Sequence, residues 1–342
     1  MTTVLYILLA ILAFGVLIAI HEAGYFFAAR IFGVTVYEFS LGMGPRLFGW
    51  TGKTGTKYNL RLFPIGGFVS MKGEDEEAEG DDSFSQKKPW KRFIIVAAGA
   101  AMNILLGLAI SLGLVLCGNI GTTVVGGFTD EAVTDEWLRV GDEIVEFNGS
   151  AVHTFYDLRY EIMHDAYEPV DIVVIRDGER VTLENVVFPT EVADGMVVGV
   201  RDFGLMIEDK SVPSVIKHTF SLAFSTVKMI WESLIDLITG RVGMEAVSGP
   251  VGVTEAIGEV ASQHGAYNLF YMLSVLAMNL GVFNLLPIPA LDGGRLVFIL
   301  FEMIFRRKVP EKFEGAVHFV GIVLLMVLMV LVTFKDIIKL FG

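Results

Sequence analysis

An adjacent histidine and glutamate, His21 and Glu22, follow an apolar run that carries no charged residue from Val4 to Ile20. An imidazole and a carboxylate inside a helix long enough to cross a bilayer indicate a functional site, because hydrocarbon disfavours both groups. His-Glu is also the first half of the His-Glu-x-x-His pattern, in which two imidazoles on one helix face bind zinc and the glutamate is the general base. Here the fourth residue after His21 is Tyr25. By itself the pair therefore indicates either an incomplete zinc site or an internal hydrogen-bonded pair.

A second stretch that could do chemistry runs from Asn284 to Arg295 and contains one acidic residue, Asp292. Helix geometry around this residue is interrupted by Pro287, Pro289, Gly293 and Gly294. Irregular backbone at membrane depth is tolerated only where protein or a water-filled cavity surrounds it, so we expect Asp292 to face away from lipid. A carboxylate from a distant helix is an accepted third ligand of catalytic zinc, and we predict that Asp292 lies close to His21. Glu22 would then take a proton from the water that attacks a peptide carbonyl.

The composition indicates the class of protein that positions these residues. Hydrophobic residues make up 53% of the 342 residues and occur in long uncharged runs, which is typical of a polytopic membrane protein. Because Cys117 is the only cysteine, an intrachain disulfide and a cysteine-based zinc cluster are excluded. The first run lacks a basic n-region and a small-residue cleavage site, so we expect it to be a retained helix. We predict a polytopic α-helical membrane protein with four transmembrane helices, a membrane-associated β-hairpin and an inserted α+β domain.

Changes in composition and periodicity divide the chain into seven segments. Apolar runs predict the spans, alternation around a glycine-rich turn predicts the hairpin, and an apolar stretch interrupted by charges predicts a helix at the membrane interface. The predicted segments are 1–36, the first span with the His-Glu pair; 37–91, a cytoplasmic loop with a membrane-reentrant hairpin; 92–117, the second span; 118–203, a PDZ-like domain; 204–265, the interfacial helix and a loop; 266–305, the third span with the Leu-Asp-Gly-Gly motif; and 306–342, a cytoplasmic loop and the fourth span.

The segment 118–203 resembles a PDZ domain, a fold that binds extended peptides by strand addition. The resemblance depends on the order strand, helix and strand pair, and on Val140-Gly141-Asp142 and Asn148-Gly149. We expect its peptide-carboxylate loop near Val125 to Phe128.

Charge predicts the orientation of the spans. The loop from Arg30 to Arg92 contains ten Lys or Arg residues, whereas the stretch from Gly118 to Gly265 contains nine against twenty-five Asp or Glu. By the positive-inside rule the hairpin loop is cytoplasmic, and the PDZ-like segment and both chain ends are outside. His21 and Glu22 then lie in the cytoplasmic half of the first span.

Taken together, several motifs of this chain resemble those of the bacterial site-2 protease family, of the regulator-of-sigma-E protease type with one PDZ domain. Members of this family are zinc metalloproteases that cut single-span membrane proteins inside the bilayer. The stretches that carry the resemblance are HEAGYFFAAR, GMGPRLF, LRLFPIGGFV, SGPVG and NLLPIPALDGGR.

The resemblance implies a role for each matching residue. His21, the residue at position 25 and Asp292 would be zinc ligands, and Glu22 the catalytic base. Asn284 would hold the unwound backbone of the substrate. Further substrate-binding candidates are Gly66 and Gly67 of the hairpin, which would present substrate in extended form, and Asn279, for which a helix contact is the simpler interpretation. The implied partners are the lipid bilayer and single-span substrates such as anti-sigma factors or remnant signal peptides, and nucleic acid is not among them. The implied location is the bacterial inner membrane.

Tyr25 departs from the family pattern. Ionising a phenol at neutral pH costs about 4 kcal/mol before metal binding offsets it. Within the predicted spans the only further histidine is His318, in the fourth. Three interpretations stay open: an engineered or trapped inactive form, a natural zinc site that is weakened or ligated by tyrosine, and a pseudoprotease that binds membrane segments through its core and PDZ-like domain. A transporter with Glu22 and Asp292 as a proton relay would explain neither the PDZ-like domain nor the His-Glu pair.

Overall fold

A computed structural model describes residues 2–74, 78–193, 196–243, 247–263 and 265–341. The chain divides into two compact units, one formed by Met1–Gly107 with Ser248–Gly342 and the other by Leu108–Val247.

Eight α-helices occur within the described residues. They are α1 (Thr2–Ile31), α2 (Pro89–Cys117), α3 (Phe155–Asp165), α4 (Val212–Thr239), α5 (Pro250–Gln263), α6 (Gly265–Leu285), α7 (Asp292–Phe305) and α8 (Glu311–Phe341). The strands are β1 (Val36–Thr51), β2 (Lys57–Met71), β3 (Ile120–Phe128), β4 (Glu143–Phe147), β5 (Ser150–Ala151), β6 (Val170–Arg176), β7 (Glu179–Val186), β8 (Thr190–Ala193), β9 (Met196–Gly199) and β10 (Phe203–Glu208).

Four of these helices are long and apolar enough to cross a membrane, as the sequence predicts. The candidate spans are Ile7–Ile31, Pro89–Cys117, Gly265–Leu285 and Lys312–Lys339. Helix α7 has 14 residues and is too short to span, since about 20 are needed. The His-Glu pair lies within the candidate span α1, whereas Asp292 is the first residue of the short helix α7.

The first unit also contains the predicted hairpin, in which β1 and β2 pair antiparallel. The segment from Glu38 to Leu41 pairs with both ends of β2, so the sheet curls on itself. Many of its large apolar side chains are exposed, including Met43, Leu47, Phe48, Trp50, Leu60, Leu62 and Phe63. An exposed apolar surface of this size marks a contact with a membrane or with another chain.

The second unit is built on a six-stranded antiparallel sheet in the order β10-β3-β4-β6-β7, with β5 paired to β4. Its core is a cluster of buried side chains that includes Val125, Ile144, Phe147, Leu158 and Ile172. Strand β10 extends past residue 203, where the sequence places the end of the domain. The reason is that Phe203 and Gly204 pair with Phe128 and Gly127 of β3.

Helix α4 packs against α3 of the same unit. The sequence predicts that the charged residues of α4 form the polar face of a helix at the membrane interface. In the structure several of them pair with residues of α3. Lys228 forms an ion pair with Glu161, and Asp236 Oδ2 lies 3.2 Å from His164 Nε2. Ser225 donates a hydrogen bond of 2.6 Å to Asp157. The large apolar side chains of α4 that stay exposed are Val212, Ile216, Phe220, Phe224, Trp231, Ile235 and Ile238.

Candidate active site

The structure brings His21 of α1 and Asp292 of α7 together. His21 Nε2 lies 3.2 Å from Asp292 Oδ2, and both side chains are largely buried. The two residues belong to separate parts of the sequence, and both fall in the first unit. This is the juxtaposition that the two sequence motifs predict.

Asp292 is positioned by a tight turn between α6 and α7. The Leu286 amide donates to Phe283 O at 3.0 Å, and the Leu291 amide donates to Ile288 O at 3.2 Å. The turn folds back onto the first residues of α7, where a Cβ atom at Gly293 would lie 2.0 Å from Leu286 O. A side chain has no room there, which explains the glycine after Asp292.

His21 is held from the side by α2. The side-chain amide nitrogen of Asn103 lies 3.2 Å from His21 Nδ1. A Cβ atom at Gly99 would lie 2.8 Å from His21 Nε2, so only glycine lets α2 approach the imidazole this closely. The sequence predicts either a helix–helix hydrogen bond or a substrate-facing role for Asn103, and the structure shows the first, between α2 and α1.

Glu22 lies against the hairpin. The residue is 9% exposed, and a Cβ atom at Gly67 of β2 would lie 2.9 Å from Glu22 Cγ. Gly66 has a φ of 75°, in the left-handed region that glycine adopts without strain. The hairpin backbone therefore passes directly beside the carboxylate that sequence predicts to be the base.

Tyr25 fills the position expected for a second imidazole. Its ring packs edge-on against His21, with 5.5 Å between the ring centroids, and the carboxylate of Asp292 lies near its hydroxyl group. Within the ranges that the structure covers, no group of three His, Cys, Asp or Glu residues is placed to hold a metal ion. His318 Nδ1 instead accepts a hydrogen bond of 3.1 Å from the backbone amide of Ala290.

The two asparagines predicted to bind substrate, Asn279 and Asn284, are half-buried residues of α6. In the described part of the chain neither forms a side-chain hydrogen bond with His21, Glu22, Tyr25 or Asp292. Their predicted roles depend on a bound substrate.

Sequence reasoning missed two ion pairs near this site. Glu74, the first residue of an acidic run, pairs with Arg295 at 2.6 Å, and Arg92 pairs with Glu302 at 2.5 Å. These four side chains and Asp292 line a cavity of about 390 Å³. Glu74 was missed because a carboxylate in an acidic run is usually solvated. The signal that could have identified it is Arg295, a charged residue in an apolar helix that needs an acidic partner.

Comparison with known proteins identifies the family of this chain. The family model described as peptidase family M50 matches residues 9–328. A "Putative zinc metalloprotease" of Clostridium perfringens is 38% identical over 98% of this chain and 99% of its own. The "Regulator of sigma-W protease RasP" of Bacillus subtilis is 29% identical over 97% of this chain and 98% of its own. The "Zinc metalloprotease RasP" of Geobacillus kaustophilus is 30% identical over 97% of each chain. These matches confirm the family resemblance that the motifs predict.

Proposed function

Since the chain belongs to peptidase family M50, we propose that it is a zinc metalloendopeptidase that cleaves transmembrane segments of single-span membrane proteins within the bilayer. The observation that carries this proposal is the meeting of His21 and Asp292, 3.2 Å apart, beside the buried Glu22 of an apolar helix. Ionisable side chains are costly inside a membrane, so their meeting from two distant motifs indicates that they act together.

The residues present fit two of the ligands that zinc requires. Asp292 Oδ2 is buried and, within the described residues, has no hydrogen-bond partner, although it faces His21 Nε2. Asn103 Oδ1 is buried and unsatisfied in the same way. A flip of the Asn103 side-chain amide would exchange its oxygen and nitrogen, so that the oxygen accepts a hydrogen bond from the Nδ1 proton of His21. The unprotonated Nε2 atom could then bind zinc. Zinc bound there would polarise a peptide carbonyl and acidify a water molecule.

Glu22 is the proposed general base. Its carboxylate takes a proton from the attacking water and returns it to the departing amine, and its buried position keeps bulk water away from the proton. The neighbouring Gly67 lets β2 approach Glu22 closely, and an extended substrate is proposed to lie alongside the hairpin at this level. Asn284 and Asn279 of α6, together with Gly66, complete the proposed contacts with the unwound substrate.

The second unit is proposed to be a PDZ-like module outside the cytoplasm. Its antiparallel sheet with a helix between β5 and β6 supports this assignment, as does the excess of acidic residues in the stretch 118–265. In this arrangement the chain is a multi-pass protein of the bacterial inner membrane with its active site toward the cytoplasm. The proposed substrates are anti-sigma factors or remnant signal peptides, from which the module selects those with a small external part.

Tyr25 is proposed to leave this chain with a weakened metal site. Its hydroxyl lies near the carboxylate of Asp292, and a neutral phenol is a poor substitute for imidazole. This contact also favours a second function, that of an inactive protein that binds membrane segments without cutting them.

A Tyr25→His variant distinguishes the two functions. Zinc content and cleavage of a single-span substrate are measured for both proteins in detergent and in liposomes. If the protein is a protease, we expect the variant to bind about one zinc per chain and to cleave at least about 100-fold faster than the parent. If the variant gains neither, the protein is a binding protein. A Tyr25→Phe variant is the control, because it removes the hydroxyl without adding a ligand.

A further inference from the structure

His318 is a half-buried histidine of α8 that has no role in the proposed chemistry. Its Nδ1 atom accepts a hydrogen bond of 3.1 Å from the backbone amide of Ala290. Ala290 lies in the turn between α6 and α7, two residues before Asp292. The histidine therefore connects the fourth span to the turn that positions a proposed zinc ligand.

The turn at Ala290 needs such support because its backbone is strained. Ala290 has a φ of 77°, in the left-handed region. Of the other described non-glycine residues with positive φ, three are Asn or Asp and one, Arg306, ends α7. Asn and Asp tolerate this conformation and a helix C-terminus often adopts it, whereas an internal alanine pays the full steric cost. Strain of this kind persists only where neighbouring contacts hold it in place.

Helix α8 also contacts Pro289, the residue before Ala290. Gly321 lies one helical turn after His318, and a Cβ atom there would lie 2.6 Å from Pro289 O. The close approach brings α8 against the turn, so that the imidazole can reach the Ala290 amide. His318 and Gly321 thus contact two consecutive residues of one turn.

The choice of histidine is itself informative. Since Nδ1 accepts a hydrogen bond, the proton of the neutral ring lies on Nε2. Nε2 is buried and, in the described structure, finds no hydrogen-bond partner. An apolar side chain would fill the space without burying an unpaired donor, so the Nδ1 acceptor is what favours a histidine at this position.

The geometry points to His318 as a positioning residue, which holds the Pro289–Ala290 turn so that Asp292 faces His21. This inference rests on the proposed function for its effect on catalysis, but not for its effect on the turn. Asparagine at position 318 can place its Oδ1 atom near the position of Nδ1, whereas leucine offers no acceptor. Glycine at position 290 adopts the observed φ without strain.

The test uses the full-length chain and four variants: His318→Leu, His318→Asn, Ala290→Gly, and the double variant of His318→Leu with Ala290→Gly. Phe319→Leu is the matched control, since this neighbouring side chain of α8 is exposed. Amide hydrogen exchange of the peptide covering 286–294 is measured by mass spectrometry. We expect exchange at the turn to become about tenfold faster in His318→Leu. Exchange should stay near the parent value in His318→Asn and in the control.

Cleavage is measured in the same variants with Tyr25→His also present. A turn that displaces Asp292 by about 1 Å lowers kcat by roughly 100-fold with little change in KM. His318→Asn should retain most of the activity. The double variant of His318→Leu with Ala290→Gly should be more active than His318→Leu alone, because a turn without strain depends less on the imidazole. A loss that asparagine does not rescue, or unchanged exchange in His318→Leu, would overturn the assignment. If Tyr25→His neither binds zinc nor cleaves, the proposed function fails, and the exchange data still decide the role of His318.

Discussion

Two polar clusters of this protein, one largely buried and one half-buried, differ in how completely their hydrogen bonds are satisfied. The His21 cluster of the first unit consists of His21, Glu22, Tyr25, Asn103 and Asp292, and the α3–α4 seam of the second consists of Asp157, Glu161, His164, Lys228 and Asp236. Both contain a histidine among carboxylates. In the described structure Asn103 Oδ1 and Asp292 Oδ2 are buried without a hydrogen-bond partner, whereas the seam contributes no such atom.

The difference shows what each cluster does. In the seam, His164 contacts two carboxylates, at 2.7 Å and 3.2 Å, and Asp157 accepts hydrogen bonds from Ser221 and Ser225 of α4. A satisfied network stabilises one packing arrangement, whereas unsatisfied buried atoms are costly and can mark a bound ion, a water molecule or a reactive site. The seam therefore holds α4 on α3, whereas the two unpaired oxygens of the His21 cluster support the proposed metal site.

The largest expected effect follows from removing the base of the His21 cluster. With Tyr25→His present, Glu22→Gln should lower kcat by about a thousandfold, since a glutamine cannot accept the proton. Zinc content should not change, because Glu22 is not a proposed ligand. Substrate cleavage and bound zinc are measured together on the same preparation. Activity within tenfold of the parent would exclude Glu22 as the base.

The second prediction breaks the seam instead. Lys228→Met leaves Glu161, which is 3% exposed, without its ion-pair partner. We expect the second unit to lose about 2 kcal/mol of stability, less than for a fully buried pair because Lys228 is partly exposed. Pulse proteolysis in denaturant measures this loss. Lys217→Met is the control, as this lysine is an exposed residue of the same helix, and equal losses in the two variants would contradict the role of the seam.

A smaller effect is expected where the hairpin contacts the His21 cluster. Gly67→Ala adds a Cβ atom 2.9 Å from Glu22 Cγ and from Ile18 Cγ2, which forces a small shift of the strand or of the carboxylate. We expect kcat/KM of the Tyr25→His protein to fall about tenfold with zinc content unchanged. Gly15→Ala, in α1 with open space around it, gives the baseline for a changed glycine, and a similar fall there would show that the contact with Glu22 is not the cause.

The smallest effect is on pH dependence and belongs to the seam. Hydrogen bonds to Asp165 and then Asp236 raise the pKa of His164 above its ordinary value. A raised pKa means that this stabilisation is fully present below the unfolded-state pKa of about 6.5 and is lost as the pH rises through the higher folded-state value. His164→Gln should flatten this part of the stability profile of the second unit. Proteolysis midpoints compared at several pH values above about 6 measure it, and parallel profiles for the parent and the variant would show that His164 is not responsible.

The sequence by itself determined the spans and the location of the candidate site. Long uncharged runs have one stable environment, and a His-Glu pair or an aspartate between prolines and glycines is conspicuous within them. The hairpin was equally readable, because its alternation and its glycine-rich turn are local features. These properties depend on neighbouring residues, which a sequence displays directly.

Only the tertiary structure decided which partner each polar group has. Asn103 contacts His21, Glu74 pairs with Arg295, and Tyr25 lies near Asp292. Lys228 and Asp236 of α4 pair with residues of α3. Each of these contacts joins residues on different elements, and local periodicity carries no information about which elements meet. The same charged residue on a helix can face water, lipid headgroups or a buried carboxylate, and the packing of the chain selects among them.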